Sequence, residues 1–171
     1  MDLKHYIRKV PDFPTPGILF RDITPLIASG KAFRYSIDEL AKFAKSKGAE
    51  KIIGPESRGF FFGCPVAFEL GIGFIPARKP YKLPRPVYNE NYDLEYGQDA
   101  IQIHQDAFKP GEKVVIIDDL LATGGTLAAV IRLIEKAGAQ IVGIGFVVEL
   151  QGLGGRQRFA NFDIFSLVKY K

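Results

Sequence analysis

The stretch Val114 to Thr126, V-V-I-I-D-D-L-L-A-T-G-G-T, constrains the fold of this chain more than any other. Val114 to Ile117 is an unbroken run of β-branched residues. Such a run belongs to a strand covered on both faces, in the middle of a parallel sheet. The strand is expected over 113–118, with Asp118 and Asp119 at its carboxyl end, where open parallel sheets bind ligands. Two adjacent acids beside an apolar strand are costly without a partner. They suit hydrogen bonds to a sugar diol, a divalent cation held through waters, or acids favoured at a helix start by its dipole. Ala122-Thr123-Gly124-Gly125-Thr126 then opens a helix. Two glycines allow backbone N–H groups to converge on an anion, and two threonines add hydroxyl donors, so this loop is expected to bind a phosphate monoester. It is not a Walker loop, having no lysine in the turn. Nor is there a G-x-G-x-x-G fingerprint: Gly152-Leu153-Gly154 begins one, but Gln157 stands at its last glycine.

The other strands and helices follow from periodicity. Residues 1–30 read as irregular, because Pro11-Asp12-Phe13-Pro14-Thr15-Pro16-Gly17 cannot continue a helix or an interior strand. Residues 18–23 read as a short extended piece. A helix over 31–47 places Phe33, Ile37, Leu40, Ala41 and Ala44 on one face. A strand over 51–54, a turn over 55–59, an apolar helix over 60–70 and a strand over 72–77 come next. Residues 79–98 carry Pro80, Pro84 and Pro86, a long excursion of the kind that forms lids and binding loops. It ends in an alternating strand over 100–105. After the strand at 113–118 come a helix over 126–137 and strands over 141–148 and 164–168. Strands alternating with helices give an α/β fold, a mostly parallel sheet covered by helices, within one domain over 1–171.

Composition narrows the chemistry. The net charge of +4 fits a small anionic substrate as well as nucleic acid. No basic strip is interleaved with aromatics, so a nucleic-acid role is not expected. The single cysteine, Cys64, excludes an intrachain disulfide and reads as a small buried residue. No apolar run approaches the roughly 20 residues that span a bilayer, and the N-terminus has no signal-peptide pattern, so no membrane role and a cytoplasmic location are expected. Arg78, Lys79, Lys82 and Arg85 form a local basic cluster without an acid among them.

A diol or cation site five residues from a phosphate site matches a 5-phosphorylated ribose. Val114 to Thr126 resembles the phosphoribosyl pyrophosphate (PRPP) signature of the type I phosphoribosyltransferases. Pro11 to Pro25 resembles the N-terminal segment of their adenine phosphoribosyltransferase branch. Glu56-Ser57-Arg58-Gly59-Phe60 looks like the pyrophosphate loop, and Arg78-Lys79 through Lys82-Leu83-Pro84 with Leu94-Glu95-Tyr96-Gly97 looks like the hood over the site. The matches run in order from about residue 11 to 150.

The resemblance implies the type I phosphoribosyltransferase fold, with a hood over about 79–105. It implies adenine and PRPP as substrates, AMP and pyrophosphate as products, and Mg2+ held mainly by PRPP, with Asp118 and Asp119 assisting through water. Ribose and 5-phosphate fall to Asp118, Asp119 and Ala122 to Thr126. Pyrophosphate falls to Glu56, Ser57, Arg58, Arg78, Lys79 and Lys82. The family's loop has a cis peptide, which here joins Glu56 and Ser57. Arg58 suits the departing pyrophosphate, since a guanidinium grips such oxygens with two donors. Glu95 handles a proton at the purine imidazole and Tyr96 packs over the site. The base lies against Leu19, Phe20, Arg21 and Leu150. A homodimer follows too, with Arg78 reaching the neighbouring site. Two rivals stand beside this reading. One is a type I enzyme for another purine base, which the P-D-F-P-T-P-G and L-E-Y-G segments oppose. The other is a non-catalytic PRPP-binding regulator, whose usual helix-turn-helix does not fit the proline-rich first 30 residues.

Overall fold

The computed structural model describes residues 1–94 and 97–171. After a 3-10 turn at Leu3–Tyr6, strands β1 (Arg8–Pro11) and β2 (Leu19–Asp22) pair antiparallel as a small hairpin. Pro11 ends β1, as a residue without a backbone donor should. The short helix α1 (Thr24–Ala28) leads into α2 (Gly30–Ser46), whose start is capped by the Ser29 hydroxyl. Then follow β3 (Lys51–Pro55), α3 (Arg58–Leu70), β4 (Gly73–Ala77), β5 (Val87–Leu94) and β6 (Gly97–His104). The chain continues through β7 (Lys113–Leu121), α4 (Gly125–Lys136), β8 (Gln140–Leu150), the four-residue α5 (Gly155–Arg158) and β9 (Ile164–Tyr170).

Five strands form one all-parallel sheet in the order β4-β3-β7-β8-β9. The period of two sorts each strand between two cores. Ile52, Val115 and Ile117 turn to the face covered by α2 and α3, against Leu40, Phe62 and Val66. Ile53, Val114 and Ile116 turn to the other face, against Leu127, Val130 and Ile134 of α4. This is why the run Val114 to Ile117 carries no polar residue. The chain leaves β3 toward β4 and leaves β7 toward β8, in opposite directions. The gap between the carboxyl ends of β3 and β7 is therefore the switch point at which such sheets bind ligands.

The expected α/β class and the parallel sheet hold, with four differences. The first 30 residues are irregular only in part: residues 12–18 form no strand or helix and β2 falls within the expected extended piece, but β1 and α1 were not expected. The second concerns β7, which runs to Leu121 because Leu120 and Leu121 still pair with Val148 and Glu149. The acid pair thus lies within the strand rather than past its end. Third, the excursion is a full hairpin, β5 against β6, whose first strand is too polar to announce itself. Asn89, Asn91 and Asp93 of β5 face solvent, while Tyr88, Glu90 and Tyr92 are drawn in. Fourth, Cys64 is exposed, on the same outer face of α3 as Phe61 and Phe68.

Candidate active site

The site is built from the carboxyl ends of β3 and β7, the loop that opens α4, and the β1–β2 hairpin. Two cavities meet there. The first, of about 190 Å³, is walled by Arg58, by Asp118 and Asp119, and by Ala122 through Thr126. The second, of about 350 Å³, shares Ala122, Thr123, Gly125 and Thr126 with the first. Its remaining walls include Leu19, Phe20, Arg21, Leu120 and Leu150.

The loop is shaped for an anion. Gly124 sits at φ +84°, a left-handed conformation that costs other residues about 1–2 kcal/mol. From there the chain enters α4, whose first turn has no side-chain cap. Its N-terminal N–H groups have no acceptor within the helix. They supply donors and a favourable partial charge to the cavity wall.

The acids meet opposite fates. Asp119 is buried, and its carboxylate takes the Arg58 Nε at 2.9 Å. Asp118 lines the cavity and accepts the backbone N–H of Asp119 at 2.8 Å. Burial, and next the charge of Asp119, hold the Asp118 carboxyl well above the usual range. Burial also raises Asp119, against the opposing pull of Arg58. Two such carboxylates would gain from a nearby cation, which fits Mg2+ held through water. Among the described residues, no three His, Cys, Asp or Glu side chains converge as a metal cage.

Around the second cavity, Phe20 meets Phe13 edge-on with centroids 5.1 Å apart, and the Arg58 guanidinium lies 5.6 Å from the Phe20 ring centre. Arg21 lies 3.9 Å from the ring centre of Tyr170, with one guanidinium nitrogen buried and unpaired. The aromatic Phe20 therefore stands between the arginine of one cavity and the apolar walls of the other.

The remaining expected residues that are described do not line the two cavities. The Glu56–Ser57 peptide is cis. Glu56 accepts the Lys79 backbone N–H and lies 3.5 Å from the Arg78 Nε. Ser57 is exposed. Neither Arg78, Lys79 nor Lys82 walls either cavity. The Lys79 ammonium is taken up inside the hairpin by Asp99 and by the Tyr92 hydroxyl at 2.7 Å. Lys82 is exposed. Glu95 and Tyr96 lie outside the described residues. Sequence reasoning missed Tyr92 and Asp93, which help wall the second cavity, and Asp99, which holds Lys79. The signal for Tyr92 and Asp93 was the weak alternation of β5, whereas Asp99 lies on β6. It also missed the buried pair of Glu149 and Arg156, for which periodicity gives no sign.

The family model described as phosphoribosyl transferase domain matches residues 27–168. An adenine phosphoribosyltransferase of Lactobacillus gasseri is 59% identical over 170 residues, covering 99% of this chain and 97% of its own length. The crystal structure of adenine phosphoribosyltransferase from Thermoanaerobacter pseudethanolicus superposes with a TM-score of 0.95 at 49% identity, covering 99% of this chain and 98% of that one. The Saccharomyces cerevisiae enzyme superposes at 0.92 with 38% identity, covering 97% of this chain and 96% of that one. It was crystallised with an imino-altritol bisphosphate and adenine.

Proposed function

We propose, from the premise that this chain belongs to the phosphoribosyltransferase family, within its adenine branch, that it transfers the 5-phosphoribosyl group of PRPP to adenine. The observation that carries this is the junction of the two cavities along Ala122 to Thr126. One holds a phosphate loop and two acids; the other is apolar with an aromatic wall. A sugar phosphate in the first presents its anomeric carbon toward a flat base in the second. The imino-sugar bisphosphate and adenine of the yeast neighbour are ligands of those two kinds.

In the reaction the bond from C1 of the ribose to the pyrophosphate oxygen breaks and a bond from C1 to the adenine imidazole nitrogen forms. Pyrophosphate departs with the electron pair. The loop N–H groups and Thr123 and Thr126 hold the 5-phosphate. Asp118 and Asp119 hold the ribose hydroxyls, and their negative charge stabilises the oxocarbenium-like carbon. Asp118 and Asp119 would hold, through water, a Mg2+ ion brought with PRPP, and such an ion would neutralise charge on the leaving group. Arg58 faces that group, since its Asp119 partner fixes it at the cavity wall. Glu56 and Ser57 shape the same loop, and Arg78, Lys79 and Lys82 supply further positive charge there. Lys79 must exchange Asp99 for pyrophosphate to do so. Leu19, Phe20, Arg21 and Leu150 enclose adenine. Glu95, on the motif L-E-Y-G, manages the imidazole proton, and Tyr96 shields it.

Residues 1–171 act as one domain in a cytoplasmic salvage enzyme; no helix among the described residues is long and apolar enough to cross a membrane. The working form is a homodimer in which Arg78 serves the neighbouring site. Support comes from the outer face of α3, where Phe61 is 46% and Phe68 is 87% exposed, with Tyr81 99% exposed nearby in sequence. Such a face favours a partner. The deciding experiment supplies adenine, hypoxanthine, xanthine and guanine separately with PRPP and magnesium. AMP formed from adenine alone supports the proposal; turnover of another base or of none overturns it. Glu95→Gln should lower kcat with little change in PRPP binding. Asp118→Asn together with Asp119→Asn should abolish PRPP binding, and retained affinity would remove the acids from the ribose site.

A further inference from the structure

The run Gly152-Leu153-Gly154-Gly155 completes no nucleotide fingerprint; Leu153 helps wall the second cavity, and the transfer chemistry does not call on the glycines. In the fold it leads into α5, which packs against the phosphate loop from behind. Three successive loop residues each meet this segment. At Ala122, the carbonyl oxygen occupies the space where a Cβ on Gly155 would go, and Leu121 Cδ1 stands 2.9 Å from that point. The Thr123 carbonyl lies 3.5 Å from the Arg158 guanidinium. At Gly124, the edge of the buried Phe159 ring fills the position of the missing Cβ.

The segment is itself anchored. Arg156 grips Glu149 with two donors, Nε at 2.7 Å and a terminal nitrogen at 2.6 Å. Its other terminal nitrogen donates to the Ile164 carbonyl at 2.9 Å, and the Ser166 hydroxyl donates to Glu149 at 2.6 Å. Glu149 is 1% exposed and pairs across the sheet with Leu121, the residue just before the loop. The ion pair therefore ties the platform to the strand from which the loop springs.

A loop of backbone donors with two consecutive glycines loses much conformational freedom on ordering. Its affinity for an anion depends on whether that freedom has been removed beforehand. The geometry points to Phe159 and Arg156 as positioning residues for the 5-phosphate. They hold Ala122 to Gly124 in the shape in which the N–H groups converge, without touching substrate. The inference rests on the loop being the 5-phosphate site, so its test separates the two.

Ribose 5-phosphate is titrated into the full-length protein by calorimetry, and steady-state kinetics are measured with each substrate varied. Phe159→Ala is expected to weaken ribose 5-phosphate and raise the PRPP KM about tenfold, the equivalent of ordering roughly one further backbone residue. The adenine KM at saturating PRPP stays within about threefold, since the base cavity keeps its Phe20, Arg21 and Leu150 walls. Amide exchange over 122–126 accelerates. Phe159→Leu, which refills most of the space beneath Gly124, restores affinity. Arg156→Lys, which keeps the charge but not the fork, shifts affinity the same way. Wild-type binding with unchanged affinity in both Phe159→Ala and Arg156→Lys overturns the positioning role alone. A wild-type protein that ignores ribose 5-phosphate overturns the phosphate-site reading instead. Should Phe159→Ala not fold, Arg156→Lys and Phe159→Leu decide by the same titration.

Discussion

Arg156→Ala leaves Glu149 as an uncompensated carboxylate at 1% exposure, with only Ser166 still donating to it. Removing one partner of a buried pair costs about 3–5 kcal/mol, and the lower end applies because Arg156 is itself 34% exposed. For a chain of this size about 3 kcal/mol lowers Tm by roughly 6–12 °C. The pH dependence carries the sharper test. In the intact protein the Arg156 hydrogen bonds hold Glu149 below the usual carboxylate range, against burial. A depressed carboxyl stabilises above its unfolded pKa, and that contribution is lost as pH falls through the folded value. Without Arg156, burial dominates and the folded pKa is raised. The variant then gains relative stability as pH falls toward the unfolded value. Above the unfolded value the wild-type contribution is flat, so the gap between wild type and Arg156→Ala should be widest near pH 8 and should narrow toward about pH 4.5 as the variant gains, and further below it as the wild type loses its share. Other carboxylates are common to both proteins and cancel. Urea unfolding of both, followed by circular dichroism across that range, measures the gap. Glu149→Gln in the Arg156→Ala background should recover much of the loss at pH 8. A gap that is independent of pH, or below about 1 kcal/mol throughout, would refute the account of Glu149 as a buried charge held by Arg156.

Four further outcomes follow from the geometry. Asp118→Asn should raise the Tm of the ligand-free protein at pH 7 while weakening PRPP: a carboxyl with a raised folded pKa stabilises below its unfolded value and loses that contribution as pH rises, and the amide has none to lose. Differential scanning at pH 5 and pH 8 should show the advantage growing with pH. Gly155→Ala and Gly124→Ala should both lower expression and Tm, the first because its Cβ meets the backbone carbonyl of Ala122, the second because Gly124 is held at a positive φ and its Cβ meets the buried Phe159 ring. Arg132→Ala should loosen the hairpin of β5 and β6, since Arg132 bonds Glu90 at 2.7 Å and the Asn91 carbonyl at 3.0 Å, and limited proteolysis within 87–104 should speed up. The proposed dimer through the outer face of α3 predicts that the wild-type protein sediments as a dimer and Phe68→Glu as a monomer with reduced activity; a monomeric wild type would refute it.

The legibility of the chain varied with the range of the forces involved. The run Val114 to Ile117 announced a central strand because burial on both faces permits only apolar residues. Ala122 to Thr126 announced a tight turn into a helix, and Gly124 there stands at φ +84°, a conformation that favours glycine. The helix at 31–47 was legible within one residue at each end, since Ile37, Leu40, Ala41 and Ala44 keep the helical period. Strand β5 was not legible: Asn89, Asn91 and Asp93 face solvent, and its inward Glu90 finds Arg132 and Lys136 more than forty residues away. Cys64 was misread as buried because the outer face of α3 is also apolar. Phe61 and Phe68 are exposed on that face with it.

By itself the sequence determined the elements whose patterns repeat locally. It also determined the chemistry that must be written in a fixed local order, the two acids and the glycine loop. Only the tertiary structure decided which distant groups meet that order: Arg58 on Asp119, the Phe20 wall on the adjoining cavity, and Phe159 and Gly155 behind the loop. The reason is physical. A strand or a turn is selected by interactions among near neighbours. The partner of a buried charge, or the ring that fills the space beside a glycine, is selected by packing across the sheet, which leaves no period in the sequence. Val114 to Thr126 thus supplied most of the lining of one cavity from a single stretch, and the fold brought Arg58 to it.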